Sequence, residues 1–358
     1  MRRDGGRHDA GRADTVTRRH RVAIVGPGNI ASHRHIPALR RSGRAEIIGV
    51  VDVDAACARR VAGRFGFPHW SRSLDAGWLD EADIVVVSTP PMLHAELSCA
   101  ALRRGKHVLQ EKPTGVSVAE GEQIRRAAGE SGRVFGIVHN FQFARSTMRL
   151  QRLLDQGRLG DVLSINAFQA SSPLRRLPEW SEELPLGLFW DESPHFFYLF
   201  RAFGGPVRLT DVVVKASRRK PATPHLVTAH LDTDLAPAFL YCSFESSVSE
   251  WYFMLICERA VAVIDIFRDL LIVSPEDGTH LARDMMRTSF AATFQHWLGV
   301  LRSGTLHLRG RLDYGMDEVI ARFLDGVDAG TEPRGVGLSD ALDVLRLQEE
   351  VVAESTVV

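Results

Sequence analysis

Residues 21–140 alternate short apolar runs with amphipathic segments. In the amphipathic segments, such as MLHAELSCAALRRG and VSVAEGEQIRRAAGESG, apolar residues recur at helical spacing. The intervening runs are apolar throughout, which is typical of parallel strands that are buried on both faces. The order strand–helix–strand predicts a doubly wound Rossmann-type α/β sheet. Its strands would be RVAIVG, AEIIGVVD, ADIVVVSTP, KHVLQEKP and RVFGIVHNF.

The pattern changes after residue 140 and favours a second domain of a different kind. LGDVLSINAFQAS predicts a strand, and GLFWDESPHFFYLFRAFGG predicts one helix that ends at Gly204–Gly205. The next β-rich runs have the spacing of an antiparallel meander: HLVTAHLDT, APAFLYCSFES, SEWYFMLICE, AVAVIDIF and DLLIVSP. We expect Tyr241, Trp251, His296 and Trp297 to serve packing.

Chain length supports a division into two domains, because 358 residues exceed what one core usually holds. We place the first domain at 21–140 and the second at 141–337. The segment 338–353 predicts an amphipathic helix that packs back on the first domain. Residues 1–20 are rich in Arg, Asp and Gly without an apolar stretch, and we expect a disordered tail there.

Composition narrows the choice of partner. Lys+Arg and Asp+Glu both number 44, so the net charge is zero, and we expect no nucleic-acid or membrane partner. No apolar run approaches the roughly 18 residues of a membrane-spanning helix. The cysteines at 57, 99, 242 and 257 form no CxxC pair. We therefore expect reduced thiols, no metal site, a cytoplasmic location and a small-molecule partner.

The turn after the first strand carries a dinucleotide-binding pattern. Gly26, Gly28 and Ala31 form G-x-G-x-x-A between a strand and a helix. The first Gly permits the tight turn, the second lets the backbone approach a pyrophosphate, and the small third residue lets helix and strand pack closely. Asp52 ends the second strand, where a carboxylate binds ribose hydroxyls and repels a 2′-phosphate. The pattern predicts NAD, with NADP as the alternative; Asp52 could also be a simple turn or helix cap.

Ligands of doubly wound sheets bind at the carboxyl ends of the strands. Pro113 would hold the exit turn behind Lys112, because Pro fixes its own φ and restrains the preceding residue. His94 and His139 are expected near the cofactor cleft as a helix-start and a strand-end residue rather than as catalysts. Besides the glycines and Asp52, the expected cofactor contacts are Asn29, Ile30, Ser88, Thr89, Pro90, His94, Glu111, Lys112 and Asn140.

The helix predicted in the second domain carries a candidate catalytic pair. Asp191 and His195 are four residues apart, so one helical face would hold both. Aromatic residues surround them, among them Trp190. His195 alone could be a helix histidine without a role, but its combination with Asp191, Lys112 and the glycine turn favours a catalytic site.

The chain resembles the Gfo/Idh/MocA oxidoreductases, which include glucose–fructose oxidoreductase and inositol dehydrogenase. The resemblance spans about residues 21 to 350 and rests on GPGNIA, STPPMLHAEL, GKHVLQEKP and DESPH. It implies a Rossmann domain followed by an α/β domain with a large, mostly antiparallel sheet. One face of that sheet would bind substrate, and the other would form a homo-oligomer. The resemblance further implies that Lys112, Asp191 and His195 are the catalytic residues.

The implied chemistry is hydride transfer at a carbinol or ketone carbon of a sugar, cyclitol or related polyol. His195 would take the hydroxyl proton, and Lys112 would stabilise the developing alkoxide. Asp191 would orient the histidine or bind a neighbouring hydroxyl.

Three positions depart from the family pattern: Ser193 replaces a Gly, Tyr198 an Asp, and Gln142 an Arg. Such positions tend to border substrate, which indicates something other than a simple hexose or inositol. Arg175 or Arg176 could bind a carboxylate or phosphate, although a solvated loop is the simpler interpretation. The expected substrate contacts are Lys112, Asp191, His195, Trp190, Gln142 and Arg175.

Two other functions remain open at this point. One is redox-neutral glycoside cleavage with a tightly held NAD, which turnover without net NADH would reveal. The other is an NAD(P)-sensing protein without turnover, which a missing Lys or His would have favoured.

Overall fold

A computed structural model describes residues 19–357, and its first domain is a parallel sheet of six strands. The strands lie in the order β3-β2-β1-β4-β5-β6, with β1 at the point where the strand order reverses. Strands β1, β4 and β5 are almost completely buried, as their apolar runs predict. The bounds are β1 His20–Val25, β2 Ala45–Val51, β3 His69–Ser71, β4 Ile84–Val87, β5 His107–Gln110 and β6 Phe135–Ile137.

Helices cover both faces of this sheet, so the doubly wound architecture is confirmed. One face packs against α1 and α2, and the other against α3 and α4. Local signals fix the helix ends: the carboxylate of Asp54 accepts from Ala56 N–H, and the hydroxyl of Ser117 accepts from Glu120 N–H. The bounds are α1 Ile36–Ser42, α2 Ala55–Phe65, α3 His94–Arg103 and α4 Val118–Ser131. A π-helical turn, Ala31–His35, leads directly into α1.

The second domain contains an eight-stranded, mostly antiparallel sheet in the order β13-β12-β11-β7-β10-β9-β8-β14. A single meander is the wrong description of it, because β7 lies between β10 and β11 and runs parallel to β10. The strands are β7 Val162–Ala170, β8 Val207–Lys215, β9 Leu226–Thr233, β10 Pro237–Ser243, β11 Glu250–Cys257, β12 Ala260–Asp265, β13 Leu270–Pro275 and β14 Thr356–Val357.

One face of this sheet is buried under an aromatic helix, and the other is open. The buried face packs against Phe196, Phe197 and Phe200. The open face carries Phe168 and Tyr241, stacked at 5.1 Å between ring centroids. The helices of this half are α5 Arg145–Asp155, α6 Leu188–Glu192, α7 Pro194–Gly204, α8 Ala282–Leu308, α9 Met316–Ala329 and α10 Leu338–Glu354.

The two helices at the end of the chain return to the first domain. On α9, Val319, Ile320 and Phe323 pack in the same core as α1, although the sequence-based bounds assign residues up to 337 to the second domain. α10 packs against α4 and also against α7 and β8. The first domain is therefore discontinuous in sequence, and α10 joins the two domains.

The predicted tail lies almost wholly outside the described residues, which begin at 19. His20 already belongs to β1, and its Nε2 lies 2.7 Å from Asp328 Oδ1 on α9. Within residues 19–357, no helix combines the length and apolar character needed to cross a membrane.

Candidate active site

The glycine turn after β1 has the geometry that a bound pyrophosphate requires. Gly26 has φ +77°, and a Cβ there would lie 2.6 Å from the Ser88 carbonyl oxygen, so only Gly fits. A Cβ on Gly28 would meet no heavy atom within 4 Å, which leaves open space above the turn. Ala31 is completely buried between helix and strand. The helix opens at Asn29 and Ile30, and its first N–H groups are available to an anion.

A cavity of about 550 Å³ adjoins this turn. Asp52 lies on its wall, and Oδ1 of its carboxylate accepts from Asp54 N–H. The Thr89 hydroxyl is buried without a hydrogen-bond partner in the described part of the chain, so a polar ligand would satisfy it. These features fit the adenosine and phosphate part of a nicotinamide dinucleotide. Expected cofactor residues on the wall are Gly26, Gly28, Asp52, Ser88, Thr89 and Pro90.

Two further residues expected at the cofactor instead hold the loops around it. The buried ring of His94 bridges the loops after β4 and β5, with Nε2 2.8 Å from the Thr89 carbonyl oxygen and Nδ1 2.7 Å from that of Pro113. Burial lowers the pKa of His94 despite these carbonyls. Glu111 pairs with the fully buried His35 at 2.8 Å. Burial alone would raise the pKa of Glu111, but His35 and Lys112 lower it, so the carboxylate stays ionised.

Lys112 reaches from the first domain into the second. It lies two residues after the end of β5, and its Nζ donates to Asp191 Oδ1 at 2.7 Å and to the Asp191 carbonyl oxygen at 2.9 Å. Both side chains keep partial exposure, 16% for Lys112 and 20% for Asp191. The ion pair therefore places a cation at the junction of the domains, close to the carboxyl edge of the parallel sheet.

The predicted single helix around Asp191 is in fact two helices. α6 ends at Glu192 and α7 begins at Pro194, whose lack of an N–H prevents a continuous hydrogen-bond ladder. As a result, the carboxylate of Asp191 binds Lys112, whereas the ring of His195 binds another partner on α7.

That partner is Tyr198, one turn further along α7. Its hydroxyl oxygen accepts from Phe141 N–H at 3.0 Å and lies 2.7 Å from His195 Nδ1. If Nδ1 were protonated, the buried hydroxyl hydrogen would have no acceptor within residues 19–357. The hydroxyl therefore donates to Nδ1, and the neutral His195 ring carries its proton on Nε2.

The electrostatic surroundings keep His195 neutral. Burial, with help from Lys112 and His139, lowers the pKa of His195 well below its usual value. His139 stacks on Tyr198 at 4.6 Å between ring centroids, and burial with help from Arg201 lowers its pKa to about 3. Burial also raises the pKa of Tyr198 well above its usual value, so the phenol stays protonated.

Trp190, which was expected to contact the substrate, lies in the interior between the two domains. It is 1% exposed, its indole N–H donates to the Gly115 carbonyl oxygen at 2.9 Å, and it packs against Leu184 and Leu345. This aromatic residue fills the contact between the domains and has no surface for a substrate.

Two further residues predicted to contact the substrate or the cofactor form hydrogen bonds within the protein. Gln142 donates to the carbonyl oxygens of His139 and Gly335, and Asn140 donates to that of Tyr314. Both therefore shape the loop after β6.

Arg175 also has a protein partner. It forms an ion pair with the buried Glu192 at 2.8 Å and donates to the Ser171 hydroxyl at 3.0 Å, both through Nη1. Burial raises the pKa of Glu192 to about 7, against the opposing effect of Arg175. Among the described residues, Nε and Nη2 of Arg175 have no hydrogen-bond acceptor, and Glu192 compensates part of the positive charge.

Tyr198 departs from the family pattern, and its contact with His195 becomes visible only in the structure. The spacing in the sequence could have predicted this contact, because a residue three positions after His195 lies next to it on a helix.

Comparison with known proteins identifies the first domain. Residues 20–139 match the model of a family described as "Oxidoreductase family, NAD-binding Rossmann fold". Among curated relatives, the NADP-dependent scyllo-inositol 2-dehydrogenase of Bacillus subtilis is 32% identical over 166 residues, 44% of this chain and 45% of that protein. The 1,5-anhydro-D-fructose reductase of Ensifer adhaerens is 30% identical over 46% of this chain and 50% of its own length. The chain thus spans about half the length of the curated relatives it matches.

A solved structure extends the similarity of fold to the second domain. A 3-ketoreductase from Actinomadura kijaniata, crystallised with NADP and TDP-benzene, superimposes with a TM-score of 0.74 at 21% identity. The match covers 95% of this chain and 99% of that one. Both domains and their connection therefore follow one known architecture.

Proposed function

We propose that this chain is an oxidoreductase of the Gfo/Idh/MocA type, which transfers a hydride between nicotinamide C4 and a carbinol or ketone carbon of a sugar, cyclitol or related polyol derivative. The observation that carries the proposal is the Lys112–Asp191 ion pair at the domain junction. The nicotinamide cofactor, when bound, supplies or accepts the hydride. The residues of this chain must then position the substrate oxygen and move its proton.

Lys112 is the proposed proton donor in the reducing direction. Its ammonium group stabilises negative charge on the substrate oxygen and can deliver a proton to it. Asp191 holds the ammonium in place through two hydrogen bonds. Since both side chains remain partly exposed, solvent can return the proton to Lys112.

His195 is proposed to act as a neutral hydrogen-bond donor rather than as the base expected from the sequence. The Tyr198 hydroxyl occupies Nδ1, which leaves the Nε2–H for the substrate oxygen. For His195 to give up that proton, Nδ1 would have to take one from Tyr198, whose raised pKa opposes the transfer. This division of roles favours ketone reduction with Lys112 as the acid.

The substrate class rests on the names of the relatives, which act on an inositol and an anhydrosugar. The free Nε and Nη2 donors of Arg175 fit an additional acceptor group on the substrate. A homo-oligomer remains part of the proposal. The open sheet face, with its exposed Phe168 and Tyr241, is the surface that the family resemblance implies for it, and it is tested below against a second surface. We also propose a cytoplasmic location, because all four cysteines are free thiols.

Nicotinamide fluorescence tests the proposal directly. Purified protein is titrated with NADH and NADPH, and keto-sugars, inososes and sugar acids are then added to the complex. Binding followed by loss of fluorescence with one compound is the expected result. Binding with product formation but no net loss would indicate redox-neutral chemistry. Failure of both dinucleotides to bind would contradict the proposal.

A further inference from the structure

The long helix α8 faces solvent with its bulkiest apolar side. Six side chains on one face of this helix are between 58% and 87% exposed. At 100° per residue they fall within one sector about 80° wide, so they form a continuous stripe along the helix. We define the α8 stripe as Met286, Phe290, Phe294, Trp297, Leu301 and Leu308.

On the opposite face of α8, small and polar residues pack against the sheet and form hydrogen bonds to it. The Gln295 amide caps the free edge of β13, donating to the Val273 carbonyl oxygen and accepting from Val273 N–H, both at 3.0 Å. A Cβ on Gly299 would lie 2.7 Å from a Leu270 methyl group, so the helix packs closely there. Ser303 is buried and donates to the Asp269 carbonyl oxygen.

The apolar face of α8 points away from the core of its own chain. An amphipathic helix on a globular protein normally turns its apolar face to the core. The α8 stripe exposes on the order of 1,000 Å² of mostly aromatic and aliphatic surface, whereas monomers rarely expose apolar patches above a few hundred Å². In the functional protein the stripe must therefore be covered.

We propose that a second copy of this chain covers it, with the two α8 helices packed antiparallel about a two-fold axis. Two stripes would together bury on the order of 2,000 Å², which matches a stable dimer interface. Trp297 lies near the middle between Met286 and Leu308, so the axis would pass close to it. From Met286 to Leu308 no residue in this sector is charged, and Arg283 lies in the sector just before it. An uncharged surface of this length suits a copy of the same surface and offers little to an oppositely charged partner.

The interface is distinct from the open sheet face and independent of the reaction proposed above. Sedimentation velocity at micromolar concentration compares the wild type with Trp297→Glu, which would bury two opposed carboxylates at the axis. We expect a wild-type dimer of two 39.7 kDa chains and a dimer dissociation constant raised about 100-fold or more in the variant.

Two further variants make the result specific. His296→Glu places the same charge on the adjacent exposed residue, about 100° around the helix from Trp297 and outside the stripe, and should remain dimeric. Tyr241→Glu on the open sheet face should also remain dimeric. Circular dichroism and NADH binding establish that each variant is folded.

Three outcomes would overturn the proposal. The first is a wild-type monomer at these concentrations. The second is a dimer that survives Trp297→Glu and is lost in Tyr241→Glu. The third is a monomer that binds vesicles of phosphatidylserine and phosphatidylcholine through the stripe, since exposed Trp, Phe and Leu on a helix also suit a membrane surface.

Discussion

Tyr198 decides the protonation pattern of the candidate site. A carboxylate at this position, as the family pattern has it, would accept a hydrogen bond from Nδ1–H and stabilise a charged His195 ring. The phenol instead donates to Nδ1, and the buried surroundings keep the ring neutral. In the proposed mechanism, this one replacement changes His195 from a candidate base into a hydrogen-bond donor.

Substitution of Tyr198 by Phe tests this role. The aromatic packing on His139 is kept, but Nδ1 and Phe141 N–H both lose their partner. We expect turnover to fall about tenfold or more, with the Kd for NADH unchanged. ¹⁵N spectra of histidine-labelled protein should show an unprotonated Nδ1 at His195 in the wild type and a mixture of tautomers in the variant. A protonated Nδ1 in the wild type would contradict the assignment.

Asp52 is the residue proposed to set the choice between NAD and NADP. Asp52→Asn keeps the side-chain shape and removes the charge that would repel a 2′-phosphate. We expect the affinity for NADPH to rise about tenfold and that for NADH to fall several-fold, as measured by fluorescence titration. Glu96→Gln is the matched control, because Glu96 lies on the same cavity wall. Equal effects of the two variants would assign the change to overall charge rather than to the ribose contact.

At the level of helices and strands, local patterns predicted the first domain well. Each buried run became a parallel strand, since nothing competes with β pairing for a fully apolar β-branched segment. The pattern predicted the helix around Asp191 less well, because Pro194 divides it and so gives Asp191 and His195 different partners. The contact of Lys112 with Asp191 joins residues 79 positions apart and depends on how the two domains meet. No local signal contains that information.

Trp190 on α6 makes the contact between domains testable. It is buried, its N–H binds the Gly115 carbonyl oxygen, and its own carbonyl oxygen accepts from Gln348 on α10. We expect Trp190→Ala to lower the free energy of unfolding by about 3–5 kcal/mol in urea titrations, because it leaves a large cavity. Trp70→Ala removes a partly exposed ring and should cost less than about 1 kcal/mol. Equal losses would show that Trp190 has no special structural role.

For the whole molecule, the discontinuous first domain was the least predictable feature. α9 packs beside α1, and α10 joins both domains, although neither shows in its sequence which surface it will meet. Trp297 illustrates the same limit: the sequence predicted packing, but the residue lies exposed on the α8 stripe. Apolar periodicity reveals that a helix has an apolar face, but not whether that face turns toward its own chain or another.

Three buried neutral histidines should make stability depend on pH. The pKa values of His94, His139 and His195 are all lowered by burial. Below about pH 6.5 the unfolded chain therefore binds protons that the native protein does not, and stability falls with pH. Glu192 has a pKa raised to about 7, so between about pH 4.5 and 7 the native protein binds a proton there that the unfolded chain does not. This raises stability as the pH falls, but it is one group against three histidines.

Urea unfolding between pH 7 and 5 measures the net effect of the three histidines and Glu192 on stability. We expect the free energy of unfolding to fall by about 1–2 kcal/mol per pH unit below pH 6.5. A free energy that stays constant or rises over this range would show that these histidines are not buried and neutral in the native protein.

The most direct test of the account is Lys112→Met, compared with the wild type for NADH binding and for turnover of the substrate found by the fluorescence screen. The variant keeps the length of the side chain and loses its charge. Lys106→Met, at the opposite end of β5, is the control. The account predicts a Kd for NADH within about threefold of the wild type and turnover lowered at least about a hundredfold, with Lys106→Met unaffected. Near-normal turnover in Lys112→Met would contradict the assignment of the active site to the domain junction.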